Sequence, residues 1–235
     1  AAARSALAAS WTRSAMLYRL DPVARRVGER LTEAEIALAR ERLGAVVPMA
    51  VAQLDRLFQM VSALGACIVL ADAEGVVIER RGNPADDADY QAAGLWTGTA
   101  WSEAQAGTNA IGTCLAEGRA VTIHRDQHFM ARNTELSCSS APLHGPEGEV
   151  LAVIDVSTAR ADVPEAVAGL IAASVADAVR RLEGDLFSHR YAGARLVVIP
   201  GLGRGGGALL AVDGDDLVIG ATRAARAHLN LTGDL

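Results

Sequence analysis

The sequence predicts an α+β domain: an antiparallel sheet with helices on both of its faces. Three observations predict it. Strand-like segments bounded by turn residues recur at 66–71, 75–80, 137–143 and 148–156, the pattern of short strands joined by tight turns. Val150 to Ile154 is apolar at successive positions, as expected of a strand covered on both sides. Segments 31–64 and 164–187 instead carry apolar residues at helical spacing.

Residues 31–64 read as helix, with Thr32 as N-cap and Glu35 three positions later. Pro48 is expected to break or kink it. Beyond that break Val51, Leu54, Phe58 and Val61 share one face. ACIVLA (66–71) and GVVIER (75–80) form two strands around a turn at Asp72 to Gly75. A polar connection follows over 82–106, with a short helix near Asp87 to Ala93. Thr108 or Asn109 caps a helix over Ala110 to Glu117, and Gly118 stops it. Next come a strand over 120–124, a short helix over Gln127 to Arg132, and two strands turning at His144 to Gly148.

In the helix over 164–187, Val167, Ile171, Val175, Ala178 and Leu182 recur at three- and four-residue steps. They suit packing onto the domain's own sheet or a parallel dimer seam. From Arg195 the chain reads as strand, Gly-rich loop, strand-turn-strand and helix. The loop lacks the GK[ST] ending of a phosphate cradle. The expected units are thus a helical segment over 1–64, a sensor domain with its exit helix over 65–187, and a small strand-strand-helix unit over 195–235.

The formal net charge is −6, and there is no lysine. Nucleic-acid affinity comes from Lys and Arg on phosphates, so no DNA contact is expected from this segment. No window holds eighteen uninterrupted apolar residues, so no membrane partner is expected. Cysteines 67, 114 and 138 are odd in number and widely spaced, which fits reduced thiols and a cytoplasmic location.

The most informative stretch runs from Trp101 to Leu143. It contains WSE (101–103), GTNAIGT (107–113), IH (123–124), QHF (127–129) and CSSAPL (138–143). With SWTRS (10–14), YRLDP (18–22) and GEVLAVIDVS (148–157), this order resembles the GAF sensor domain of acetoin-type, AcoR-like bacterial transcriptional activators. Those belong to the sigma-54-dependent, Fis-type class. The tail over 195–235 resembles the opening of a PAS domain. The resemblance implies a GAF fold followed by a partial PAS-like unit, a homodimer, and DNA binding by a C-terminal part outside this segment. The effector it implies is a small neutral metabolite such as acetoin, a short alcohol, a ketone or a polyol.

A small-molecule sensor needs a largely apolar pocket with a few orienting polar groups. The central stretch offers Trp96, Trp101, Asn109, Thr113, His128, Phe129, Cys138 and Ser140. Each also has a structural reading: Trp101 as a core aromatic, GTNAIGT as a loop and cap, His128 as a satisfied histidine. His124 alternates away from Val121 and Ile123, and its face is left open. No metal or cofactor is expected, since the Arg125-Asp126 break separates His124 from His128.

No catalytic set is expected either. In the GAF-fold free methionine sulfoxide reductases a catalytic Cys stands just before Gly-Thr; here that position is Ile111, and Cys114 follows Thr113. There is no GxSxG. A protein-interaction module, as in the dihydroxyacetone-operon regulators that the chain also resembles, is the first alternative, and a reductase of the GAF-fold free methionine sulfoxide type is the second.

Overall fold

The computed structural model describes residues 2–24, 30–161, 163–199 and 208–231. Helix α1 (Ala2–Thr12) runs into a wider π turn over Arg13–Leu17. Helices α2 (Glu33–Leu43) and α3 (Val46–Val61) follow. Thr32 caps α2 in a reciprocal box with Glu35. The break falls at Gly44 (φ 52°), four residues before Pro48. Pro48 then lies in the first turn of α3, where no intrahelical partner awaits its missing N–H.

Five strands form the main sheet: β1 (Ala66–Asp72), β2 (Val77–Arg81), β3 (Val121–His124), β4 (Ser137–His144) and β5 (Val150–Thr158). Their order is β2-β1-β5-β4-β3, and every neighbouring pair is antiparallel. One face packs on α3 and on helix α7 (Glu165–Arg190), through Ile68, Leu70, Leu143, Ile154 and Val156. The other is covered by α4 (Asp87–Ala93), α5 (Glu103–Ala106), α6 (Ala110–Glu117) and the loops around them. The centre of the sheet is therefore closed on both sides.

Helix α3 buries Leu54, Leu57 and Val61, while Val51 and Phe58 lie at the margin. The expected face is thus rotated by one position. In α7, Ile171, Val175, Ala178 and Leu182 join the core of their own chain. Of the two readings of that stripe, the fold takes the packing one. The helix expected over Gln127 to Arg132 is instead two 3-10 turns, Arg125–Gln127 and Ala131–Asn133. His128 and Met130 are extended between them, so that Phe129 N–H reaches the Thr108 carbonyl.

A second sheet, β6 (Arg195–Ile199), β7 (Ala208–Val212) and β8 (Val218–Ala221), is antiparallel with helix α8 (Arg223–Leu229) against it. The Gly-rich stretch 201–207 lies outside the described residues. No helix among the described residues is long and apolar enough to cross a membrane.

Val175 is 1% exposed and Leu170 is 70% exposed, five residues apart on α7. Val175→Asp is expected to unfold the chain by burying an unpaired carboxylate, while Leu170→Asp, on the exposed side of the helix, leaves the chain folded. Urea unfolding checks both; a tolerated Val175→Asp would place the stripe at an interface.

Candidate functional site

The site is built on the inner face of the sheet, under α4 to α6. Asn109 caps α6: its Oδ1 accepts from Gly112 N–H at 2.8 Å. Its amide donates to the Trp101 carbonyl at 2.9 Å and to the Gly107 carbonyl at 2.8 Å. Gly112 lets α6 lie directly on the WSE backbone. A Cβ there would stand 2.6 Å from Glu103 N and from Trp101 O. WSE and GTNAIGT are thus two halves of one joint. Trp101 is buried and donates from Nε1 to the Gly94 carbonyl at 3.0 Å.

The N-terminal helix locks onto the outside of that joint. Ser10 Oγ meets Glu103 Oε1 at 2.5 Å, Thr108 Oγ1 at 2.8 Å and Thr113 Oγ1 at 3.0 Å. Arg13 holds Glu103 by Nε at 2.6 Å and Nη2 at 2.9 Å. Burial pushes the Glu103 carboxyl up, but bonds from Arg13 and Ser10 and the Arg13 charge outweigh it and hold it below its ordinary value. Trp11 donates to the Gln127 carbonyl at 2.8 Å and packs edge-on against Phe129, centroids 5.1 Å apart.

The inner face carries a polar row set by register. Ser140 pairs with Asp155 across β4 and β5, and Cys138 with Ser157. Val69 and Cys67 of β1 complete the two rows. Asp155 is fully buried; it accepts from Ser140 Oγ at 2.6 Å on Oδ1 and from Ser157 Oγ at 2.5 Å on Oδ2. Burial raises its carboxyl to about 6, against the opposing pull of these two bonds.

His128 is buried beside this row. Its Nδ1 lies 3.0 Å from the Arg125 carbonyl, which can only accept. Nδ1 therefore holds the ring proton, and bare Nε2 faces the Cys138 thiol at 3.5 Å. Burial lowers His128 to about 4, so it is neutral at pH 7. Burial also pushes the Cys67 thiol up to about 12 and raises Cys114 and Cys138. Thiols held protonated in this way are poor nucleophiles.

At the β2 edge, Arg80 lies over the Trp96 ring at 4.2 Å and pairs with Asp87 at 2.8 Å. Tyr90 is buried beneath it and donates to the Gly65 carbonyl at 2.6 Å.

The eight expected residues thus fall into three groups. His128, Cys138 and Ser140 meet in the polar row. Trp96 and Trp101 flank α4 at the other end of the covering layer. Asn109, Thr113 and Phe129 are spent on the α6 joint and on α1. His124 faces the α7 side and bonds Ser137 Oγ at 2.7 Å, so it does not join His128 and Cys138. Among the described residues no group of three or more His, Cys, Asp or Glu is arranged to hold a metal ion. The sequence reading missed Asp155, Ser157, Arg80 and Tyr90. A lone carboxylate inside the apolar run VLAVIDVS was the available signal for Asp155.

The GAF domain family matches residues 42–179. The chain belongs to that family. Its homologues are transcriptional regulators of acetoin and related catabolism. The acetoin catabolism regulatory protein of Cupriavidus necator is 37% identical over 148 residues, 63% of this chain and 22% of the relative. The Bacillus subtilis acetoin dehydrogenase operon transcriptional activator AcoR is 28% identical over 178 residues, 76% of this chain and 29% of the relative. The chain spans about a quarter of the length of these relatives. Among solved structures, the E. coli DhaR(N)–DhaL complex contains a chain matching with TM-score 0.70 at 19% identity. The match covers 97% of this chain and 77% of that one, and it shows the shared fold.

Two buried groups of this GAF domain titrate with opposite sign. Asp155, raised from 3.8 to about 6, favours the folded state in acid, and that contribution is lost as pH rises through about 6. His128, lowered from 6.5 to about 4, favours it above pH 6.5, and that is lost as pH falls through about 4. Each is worth about 3 kcal/mol, so they nearly cancel in the wild type. Asp155→Asn should lose stability in acid relative to wild type, and His128→Asn should gain it. Urea midpoints between pH 4.5 and 7.5 decide; two variants that run parallel to wild type would refute the assignment.

Proposed function

We propose that this GAF domain is the effector-sensing region of a bacterial transcriptional regulator and that its effector is a small neutral metabolite. Acetoin, short alcohols, ketones and polyols make up the ligand class. The observation that supports it is the polar row of Ser140, Asp155 and Ser157 on an otherwise apolar inner face, the balance a small polar organic ligand requires. The named relatives, two of them acetoin regulators, support the same class.

The signal leaves by α3 and α7, which pack together against the opposite face. A ligand that favours one arrangement of β5 and α7 shifts the population toward it. The sigma-54-dependent, Fis-type class, the cytoplasmic location and DNA binding by another part of the regulator belong to the same reading. So does the absence of turnover, for which the raised thiols speak. The small unit over 195–231 is read as the start of a PAS-like domain.

The dimer is proposed on the outer side of the same two helices. Met60 and Leu170 stand 60% and 70% exposed beside a groove of 720 Å³ between α3 and α7. Arg56, Asp177, Arg180 and Arg181 line it with both signs of charge.

Calorimetric titration of the chain with acetoin, acetone, 2-propanol and glycerol is expected to show saturable 1:1 binding by at least one. If none binds a folded chain, the interaction-module reading replaces this one. Sedimentation at micromolar concentration is expected to show two chains, and Met60→Glu with Leu170→Glu to release monomers; a wild type that stays monomeric refutes the dimer.

A further inference from the structure

Apart from the Ser140 and Ser157 hydroxyls, the imidazole and phenol donors around Asp155 are committed elsewhere. A buried carboxylate has about four acceptor directions on its two oxygens. Among the described residues Asp155 fills two, with Ser140 and Ser157. His128 has one ring proton, and it goes to Arg125 O. Tyr90 OH goes to backbone carbonyls, Gly65 O at 2.6 Å and Ser157 O at 3.0 Å. Arg80, two strands away in the same row, faces Asp87, the Trp96 ring and the Cys67 thiol rather than the carboxyl. What remains near the carboxyl is three thiols, Cys67 from β1, Cys114 from α6 and Cys138 from β4, which are weak donors. Apolar side chains such as Val69, Val153 and Ile111 complete the surroundings.

We propose that the Asp155 carboxyl, held between the Ser140 and Ser157 hydroxyls, is the polar anchor of the effector and takes neutral ligands that donate a hydroxyl proton. This rests on the sensor reading above and names the chemistry of its site. An alcohol or diol supplies the missing donor and places a short alkyl chain on the apolar surroundings. A carboxylic acid anion is rejected, because two carboxylates cannot share a dry site with both charged. A ligand with carbonyl groups alone has nothing to donate to the ionised anchor. It is accepted only once Asp155 is protonated and becomes a donor itself, below about pH 6. His128, neutral until about pH 4, adds no charge across that range, and the raised thiols add none either.

Three probes test this on the full chain: butane-2,3-diol, butane-2,3-dione and lactate. At pH 7.5 the diol is expected to bind at least about tenfold more tightly than the dione, and lactate not measurably. Titration to pH 5 should weaken the diol and strengthen the dione. Asp155→Asn keeps the shape and removes the charge; it should cost the diol about tenfold and flatten both pH profiles. Ser140→Ala, which leaves the carboxyl in place but frees one of its directions, should retain the pH-dependent preference, and it serves if the Asn variant does not fold. Diol binding that is indifferent to pH and to Asp155→Asn overturns the anchor while leaving the sensor intact. Tight lactate binding also overturns it. Failure of every small molecule to bind, those of the wider panel included, removes the sensor reading and the anchor with it.

Discussion

Everything in this domain depends on strand β5 being buried on both faces. It lies at the centre of the sheet between β1 and β4, with α3 and α7 on one side and α4 to α6 on the other. No water-exposed face is left at its middle, so each of its side chains must be satisfied within a dry layer. Ile154 and Val156 meet that requirement by packing against the exit helix. Asp155, pointing the other way, meets it only in part, through two serine hydroxyls brought beside it by register. A one-residue slip of β4 would replace Ser140 by Ser139 or Ala141 and send the serine to the wrong face. The chemistry of the site is therefore a consequence of strand pairing.

What was legible in the sequence was local. The Thr32–Glu35 box, the Asn109 cap and the Gly118 stop each act within a few residues, and they stand where their chemistry places them. The strands around Asp72 and Gly145 were legible for the same reason, since turn residues interrupt apolar runs. The polar row was not. Asp155 and Ser140 are fifteen positions apart, and nothing local says that they face each other. Of the row, the central motif itself drew attention to His128, Cys138 and Ser140; their partners on β5 and β1 had to come from the sheet.

The N-terminal segment was illegible for a different reason. Residues 10–14 were noticed as a motif inside a segment expected to be helical, but α1 has no broad apolar stripe from which its packing could be read. It is held by hydroxyls and one carboxylate: Ser10 and Arg13 on Glu103, with Thr108 and Thr113 closing the ring. Such contacts are directional and need all partners in place, so their value appears only in three dimensions. Removing Arg13 leaves Glu103 buried without its cation, which is more costly than the net worth of the pair.

That lock also explains why the motif residues divide as they do. The GTNAIGT loop has two sides. Its outer hydroxyls, Thr108 and Thr113, hold α1, while its inner residues Ile111 and Cys114 roof the sheet near Asp155. Phe129 and His128, adjacent in sequence, separate in the same way, Phe129 toward Trp11 and His128 toward Cys138. An extended backbone at His128 makes that possible, because alternate side chains of an extended segment point to opposite sides. The helix expected there would have spread the two over one surface. A rearrangement under the roof, such as a new partner for Asp155, thus has a short hydrogen-bonded route through the loop to α1 and a packed route through β5 to α7. One central strand and one two-sided loop connect the candidate site to both ends of the domain.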